Sequence, residues 1–389
     1  MTVVSGTAAP GFEPVRDAFV ENFRAGTEVG AAVSVYRHGR EVVHLWGGVA
    51  DPDTGRSWRE ETLQVVYSAT KSVPAACAHL LVQRGQLRLD APVADHWPEF
   101  AAAGKSDLPV RWLLSHQAGL PVLDRPVPLA DALAWEPIVA ALAAQAPVWE
   151  PGAAHGYHGL TYGWLVGEVV RRVSGRGVGT YFADEIAKPL GLDFWIGLPD
   201  AEVHRVSRLV EAPVEPPAEP LSAELRETLA AYTDPGSLLV RSVAVTDPPL
   251  DLADPATWSA EIPAVNGICT ARALARFYAG LIGEVDGIRI LDAPTLAAAT
   301  VEQAHGVDRV LGMPTRPALG FGLPLPDQPW WSPTAFGFPG HGGSLGYADP
   351  ASGVAFGYVT NNLRVTTTPD QRTVNLVGAL RSALAAVSR

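Results

Sequence analysis

A chain of 389 residues with 47% hydrophobic content can bury one large core or two smaller ones, and 38 glycines and 34 prolines spread along it mark a loop-rich globular protein. A net charge of −12 with no basic cluster argues against nucleic acid and anionic membrane surfaces as partners, and favours a small neutral or cationic one. No apolar run reaches the roughly 18 residues of a membrane span, and the opening Met1-Thr-Val-Val-Ser-Gly-Thr7 lacks the basic and apolar regions of a signal peptide, so the expected location is the cytoplasm.

In chain order, Val15 to Phe23 has the periodicity of an amphipathic helix. Gly30 to Trp46 predicts two strands joined at His38-Gly39-Arg40. Val73 to Gln83, closed by Gly85, predicts a second helix with apolar Val73, Ala76, Cys77, Leu80 and Leu81. From about Asp90 to Val240 the pattern is helical segments and long Pro-containing loops, among them an apolar helix over Leu160 to Val173 that ends at Ser174-Gly175. Glu211-Ala-Pro-Val-Glu-Pro-Pro-Ala-Glu-Pro220 cannot be helix or central strand and reads as a surface loop or flap. Strand patterns return at Gly343 to Ala348 and Gly353 to Thr360, and Pro369 introduces a closing helix through Val387. This order predicts an α/β domain built from both chain ends (1–88 and 250–389), with a mostly helical domain over 89–249 inserted between. A cleft between two such domains is a favoured place for a small-molecule site. Cys77 and Cys269, the two cysteines, are expected as reduced, buried thiols.

Among 29 basic residues only Lys71, Lys105 and Lys188 are lysines, and only a lysine among them can give up its proton, so each merits inspection. Lys71 closes Ser68-Ala-Thr-Lys71. On a helix, positions i and i+3 share a face, so the amine reaches the serine hydroxyl, and the positive helix end favours an attacking alkoxide. The same four residues would also suit an N-cap serine followed by a solvated lysine; Pro74, close behind, implies a local bend. Tyr157 sits in the Gly-rich Trp149-Glu-Pro-Gly-Ala-Ala-His-Gly-Tyr157-His158-Gly159, just before an apolar helix. Its hydroxyl can project into a cleft, where a nearby Lys71 cation would lower its pKa and make it a base; otherwise it is a packing aromatic. Gly340-His-Gly-Gly-Ser344-Leu-Gly346 has side chains small enough for its backbone to aim an N–H at an oxyanion, or is a plain hairpin turn. It also fits Gly-x-Ser-x-Gly, but no histidine follows Ser344 and it leads into a strand rather than a helix, which argues against a nucleophile elbow. The remaining histidines show no metal-ligand spacing.

In this order the three motifs resemble those of the serine β-lactamase and D-Ala-D-Ala peptidase superfamily, and within it class C β-lactamases and family VIII carboxylesterases. Leu113-Leu-Ser-His-Gln-Ala-Gly-Leu120, Trp149-Glu-Pro-Gly152 and Pro189-Leu-Gly-Leu192 extend the resemblance over roughly residues 12 to 385. It implies a β-lactamase-like α/β fold, an antiparallel sheet flanked by helices from both chain ends. It also implies Ser68 as nucleophile, Lys71 as its activator, Tyr157 as the tyrosine of Tyr-x-Asn, and the backbone N–H groups of Ser68 and Ser344 as oxyanion hole. No cofactor or metal is implied. Gly159 stands where that element has its asparagine, and His341-Gly342-Gly343 where the family has Lys-Thr-Gly. Both departures remove handles for carboxylated β-lactams and peptides while the acyl-transfer groups remain, which points to a serine carboxylesterase acting on small-molecule short-chain esters. The alternatives are an acyltransferase or an amide or lactam hydrolase on the same fold, or a penicillin-binding sensor that acylates without turnover. His158, a partial substitute for the missing amide, and Trp330 and Trp331, which would line the acyl or alcohol pocket or simply pack, complete the expected substrate-binding set.

Overall fold

The computed structural model describes residues 3–212, 230, 233–325, 332–364 and 370–387. Its main sheet is assembled from the two ends of the chain. Strands β1 (Val4–Ala8), β2 (Gly30–Arg37), β3 (Arg40–Asp51), β4 (Phe336–Pro339), β5 (Leu345–Asp349) and β6 (Val354–Thr360) lie in the order β1-β3-β2-β6-β5-β4, with every neighbour antiparallel. Arg56–Ser57 adds a short pairing to β3. The expected hairpin is therefore central, and His38 and Gly39 turn it with φ of 47° and 76°, the two positive values that a tight turn matched to strand twist requires.

Side chains alternate between two buried faces. Ala31, Val33 and Val35 of β2 and Val354, Phe356 and Tyr358 of β6 join one core with helices α1 (Glu13–Arg24) and α5 (Gln371–Val387). Ala32, Tyr36, Ala355 and Val359 face the other core, which holds α2 (Ser72–Gln83), α3 (Thr161–Ser174) and α4 (Ala271–Ile282). Helix α4 lies directly on β5 and β6: a Cβ at Gly357 would come 2.5 Å from the Ala271 carbonyl, so only glycine lets the two backbones approach. Helix α2 is buried on all sides from Ser72 to Leu81 rather than along one stripe, and Cys77 lies within it; Cys77 and Cys269 are both buried and unpaired.

Two strands were not legible beforehand. β1 is an edge strand of small residues, and β4, Phe-Gly-Phe-Pro, mixes strand formers with strand breakers. Between α2 and α4 the described strands are two-residue pieces, including Phe194–Trp195, which sits in a small sheet with Ile268–Cys269 and Gln64–Val65. Of the expected 211–220 loop, Glu211 pairs with Leu363 in a short parallel bridge, and 213–220 lie outside the described residues.

Candidate active site

The small sheet ends one residue before a 3-10 turn, Tyr67–Lys71, that carries Ser68. The turn is anchored by Val66 N–H donating to the Gly267 carbonyl (2.9 Å) and by Gly267 N–H donating to Thr70 Oγ1 (2.9 Å). Tyr67 enters it with φ of 48°, a strained value for a side-chain-bearing residue directly before Ser68. With three residues per turn, positions i and i+3 of a 3-10 helix eclipse, so Lys71 stands directly over Ser68 instead of being offset as in the expected α-helix. The α-helix begins only at Ser72. Pro74 thus falls in its first turn, where a missing N–H breaks no helical bond, and the expected bend is unnecessary.

Lys71 Nζ lies 3.2 Å from Ser68 Oγ, 2.7 Å from the Gly159 carbonyl and 3.1 Å from the Ala264 carbonyl. The side chain is wholly buried, and that burial pushes its pKa well below the ordinary 10.5. All three neighbours are oxygens that the amine can donate to, and none of them carries a charge to compensate an ammonium. Tyr157 completes the chain, its hydroxyl 2.5 Å from Ser68 Oγ. Here the expectation of a lowered tyrosine pKa is corrected. Burial pushes the Tyr157 phenol up, the Ser68 hydrogen bond opposing only in part, and burial likewise disfavours the Lys71 cation that was to lower it. That shift favours the protonated phenol, and either hydroxyl of the Tyr157–Ser68 pair can be the donor.

Two of the three contacts to the serine–lysine pair, from the Tyr157 hydroxyl and the Gly159 carbonyl, come from one segment, residues 155–159. The missing asparagine side chain is replaced by backbone, since it is the Gly159 carbonyl that receives Lys71. A Cβ at Gly159 would lie 2.9 Å from both the Ser242 carbonyl oxygen and Ser242 Oγ, which leaves little room for a larger residue. His158 is buried, and its pKa falls to about 4 through that burial. Its Nδ1–H donates to the Gly156 carbonyl (2.7 Å) and its Nε2 accepts the Leu120 N–H (3.0 Å), so both nitrogens are engaged with backbone and neither is offered to a ligand. His116, one of the histidines without metal-ligand spacing, belongs here: its Nδ1 accepts the His158 N–H (3.1 Å) and its ring packs 5.4 Å from that of Tyr157. Asp308, for which the sequence holds no signal, accepts the Tyr157 N–H (3.0 Å).

The turn His341–Gly343 links β4 to β5. A Cβ at Gly340 would overlap the Val66 carbonyl, so this glycine brings the turn against the residues leading into Ser68. Ser344 is buried and its carbonyl accepts the Gly340 N–H (2.7 Å). From below, the wholly buried Arg372 of α5 donates to the Gly342 carbonyl (2.6 Å) and pairs with Asp370 (2.6 Å) and Glu28 (3.4 Å); a Cβ at Gly343, whose φ is 120°, would collide with Arg372 and Asp370. His341 is exposed, its ring 5.3 Å from that of Tyr67, and the surrounding protein holds its pKa below the ordinary value, Glu211 opposing. Trp330 and Trp331 lie outside the described residues. Of the other lysines, Lys105 caps the carbonyls of Ala102, Ala143 and Gln145, and Lys188 pairs with Asp184 at the surface. Among the described residues no group of His, Cys, Asp and Glu is gathered that could hold a metal ion, and no helix is long and apolar enough to cross a membrane.

The family model described as beta-lactamase matches residues 16–379. The chain belongs to the beta-lactamase family. It is 36% identical over 373 residues to the esterase/beta-lactamase LipL of Mycobacterium tuberculosis, a match covering 92% of this chain and 83% of that protein. Among solved structures it is similar to a family VIII carboxylesterase, at 38% identity and a TM-score of 0.87 over 98% of this chain and 100% of the other. It is equally similar to a penicillin-binding protein homologue from Caulobacter crescentus, at 38% identity and a TM-score of 0.86, with the same coverage.

Proposed function

We propose that the protein is a serine carboxylesterase that hydrolyses short-chain carboxylic esters through an acyl-enzyme on Ser68. The observation that carries this reading is the contact chain Tyr157–Ser68–Lys71, a hydroxyl held between a phenol and a buried amine whose charged form that burial disfavours. Lys71 takes the Ser68 proton as Oγ attacks the ester carbonyl, and the negative charge that forms on the carbonyl oxygen meets the backbone N–H groups of Ser68 and Ser344. As the C–O bond to the alcohol breaks, Tyr157 donates its proton to the leaving oxygen and recovers one from the Lys71 ammonium. Water then attacks the acyl-enzyme, giving one proton back to Ser68 and releasing the carboxylic acid. No step calls for a cofactor or a metal.

His341, Gly342 and Gly343 border the substrate in this scheme. An imidazole whose pKa lies below its ordinary value is not a fixed cation, so it gives a substrate carboxylate little to bind. With Gly159 offering no side-chain amide, carboxylated β-lactams lose two anchors while a neutral ester loses none. Esterase is one of the two words in the name of the Mycobacterium tuberculosis relative and describes the carboxylesterase to which the fold is similar. The test compares p-nitrophenyl butyrate with a chromogenic cephalosporin. The ester is expected to turn over much faster, and equal kcat/KM on the two would refute the preference. The penicillin-binding homologue supports a second reading, acylation without turnover, for which the ester would give one stoichiometric burst and stop.

A further inference from the structure

We propose that Asp308 is a positioning residue for catalysis, clamping the backbone at Tyr157 so that the phenol stays in contact with Ser68. The inference rests on the reading that Tyr157 serves Ser68. Asp308 is buried and sits in a loop framed by the two-residue strands Gly306–Val307 and Pro314–Thr315. Its Oδ1 accepts three backbone N–H groups, those of Val310 (2.9 Å) and Leu311 (2.9 Å) in its own loop and that of Tyr157 (3.0 Å), 151 residues away in sequence. Its Oδ2 has only a long contact from Thr315 Oγ1 (3.4 Å), and no ion pair to Asp308 occurs among the described residues. Backbone N–H groups converging on one carboxylate oxygen make charge-assisted bonds, stronger than neutral ones and stronger still out of water.

The two contacts within the loop would shape it without any catalytic role; the one to Tyr157 is what the loop exports. A second tether runs alongside, with Arg309 N–H donating to the His155 carbonyl (3.1 Å). Val310 closes over Gly156, where a Cβ would lie 3.1 Å from its methyl group, and Thr315 Oγ1 meets His155 Nε2 at 2.9 Å. The loop therefore grips residues 155–157 at successive positions, and the segment then delivers the Tyr157 hydroxyl to Ser68 and the Gly159 carbonyl to Lys71. A phenol oxygen stands far from its own Cα, so a small backbone rotation at Tyr157 swings it out of a 2.5 Å contact. A displacement of about 1 Å in a reacting group can cost on the order of a hundredfold in rate.

The test is a double-mutant cycle on the full chain, with Asp308→Ala and Asp308→Asn each made alone and combined with Tyr157→Phe. Activity is followed as kcat/KM on ethyl butyrate and p-nitrophenyl butyrate, and folding by thermal denaturation. Asp308→Ala is expected to lower kcat/KM for the ethyl ester roughly 10- to 100-fold, with a smaller loss for the aryl ester, whose leaving group needs no proton. In the Tyr157→Phe background the further loss should be under about threefold, because the hydroxyl being positioned is already gone. Asp308→Asn keeps an oxygen acceptor and should retain most of the activity; if Asp308→Ala does not fold, the change in the alkyl-to-aryl ratio is read from Asp308→Ser, whose shorter side chain does not reach the Tyr157 N–H. Equal losses in both backgrounds, or an unchanged ratio in folded Asp308→Ala or Asp308→Ser, would overturn the clamp while leaving Tyr157 catalytic. Normal activity of Tyr157→Phe itself would instead overturn the role of Tyr157, and the clamp with it.

Discussion

Replacing Tyr157 by phenylalanine isolates a single oxygen. The ring stays packed between His116, at 5.4 Å, and Phe338, at 6.2 Å, and the Asp308 contact to the backbone is untouched. The fold loses one hydrogen bond, to Ser68, worth about 1 kcal/mol, so Tm should move by only a few degrees. On the proposed mechanism catalysis loses its proton donor, which general acid catalysis values at roughly 10²- to 10⁴-fold, or about 3 to 5 kcal/mol on the barrier. The loss must depend on the leaving group. Ethoxide cannot depart without a proton, whereas p-nitrophenolate leaves as a stable anion. Because kcat/KM reports steps through acylation only, the comparison is made on that parameter, with ethyl butyrate followed by acid release and p-nitrophenyl butyrate by colour. The expected loss for the ethyl ester lies within the range above and exceeds that for the aryl ester by at least about tenfold. Equal losses on the two esters would refute a donor role, and no loss on either would remove Tyr157 from the mechanism.

The direction of the Lys71 shift sets the pH profile: kcat/KM should rise as pH climbs through the lowered Lys71 pKa. It should then stay flat on the alkaline side, because burial holds Tyr157 protonated; a basic limb near pH 8 or 9 in the rate profile would contradict a neutral phenol. Ser68→Ala should abolish turnover and covalent labelling by an organophosphonate, while Ser344→Ala, which keeps its backbone N–H, should retain most activity and carry the adduct on Ser68 by mass spectrometry. Beneath the 341–343 turn, burial outweighs the attraction of Arg372 and raises Glu28 from 4.5 to about 7, with Tyr358, Thr360 and Asp370 as its other neighbours. The proton held by the folded state makes this contribution to stability complete below about pH 4.5 and lost as pH rises through 7, so Tm of the wild type should fall across that window more than Tm of Glu28→Gln.

Where neighbours in sequence decide the outcome, the chain could be read directly. The His38-Gly39 hairpin, the helix over Glu13–Arg24 and the stop of α3 at Gly175, which takes φ of 72°, all rest on period and turn chemistry. So does the pairing of Ser68 with Lys71, since either kind of helix sets positions i and i+3 together. Tyr157 was legible for a different reason, its Gly-rich setting and its order among the motifs. Charge state was not legible at all. How far the Lys71 cation is disfavoured depends on water being excluded from around it by Gly159, Ala264 and their surroundings, 88 and 193 residues away, and burial of Tyr157 itself reverses the shift expected there. The clamp from Asp308, the hold of Arg372 on Gly342 and the docking of β4 beside β5 are likewise contacts between distant segments. Sequence period reports which face of an element is apolar; which carbonyl, carboxylate or strand meets that face is decided only when the chain closes on itself.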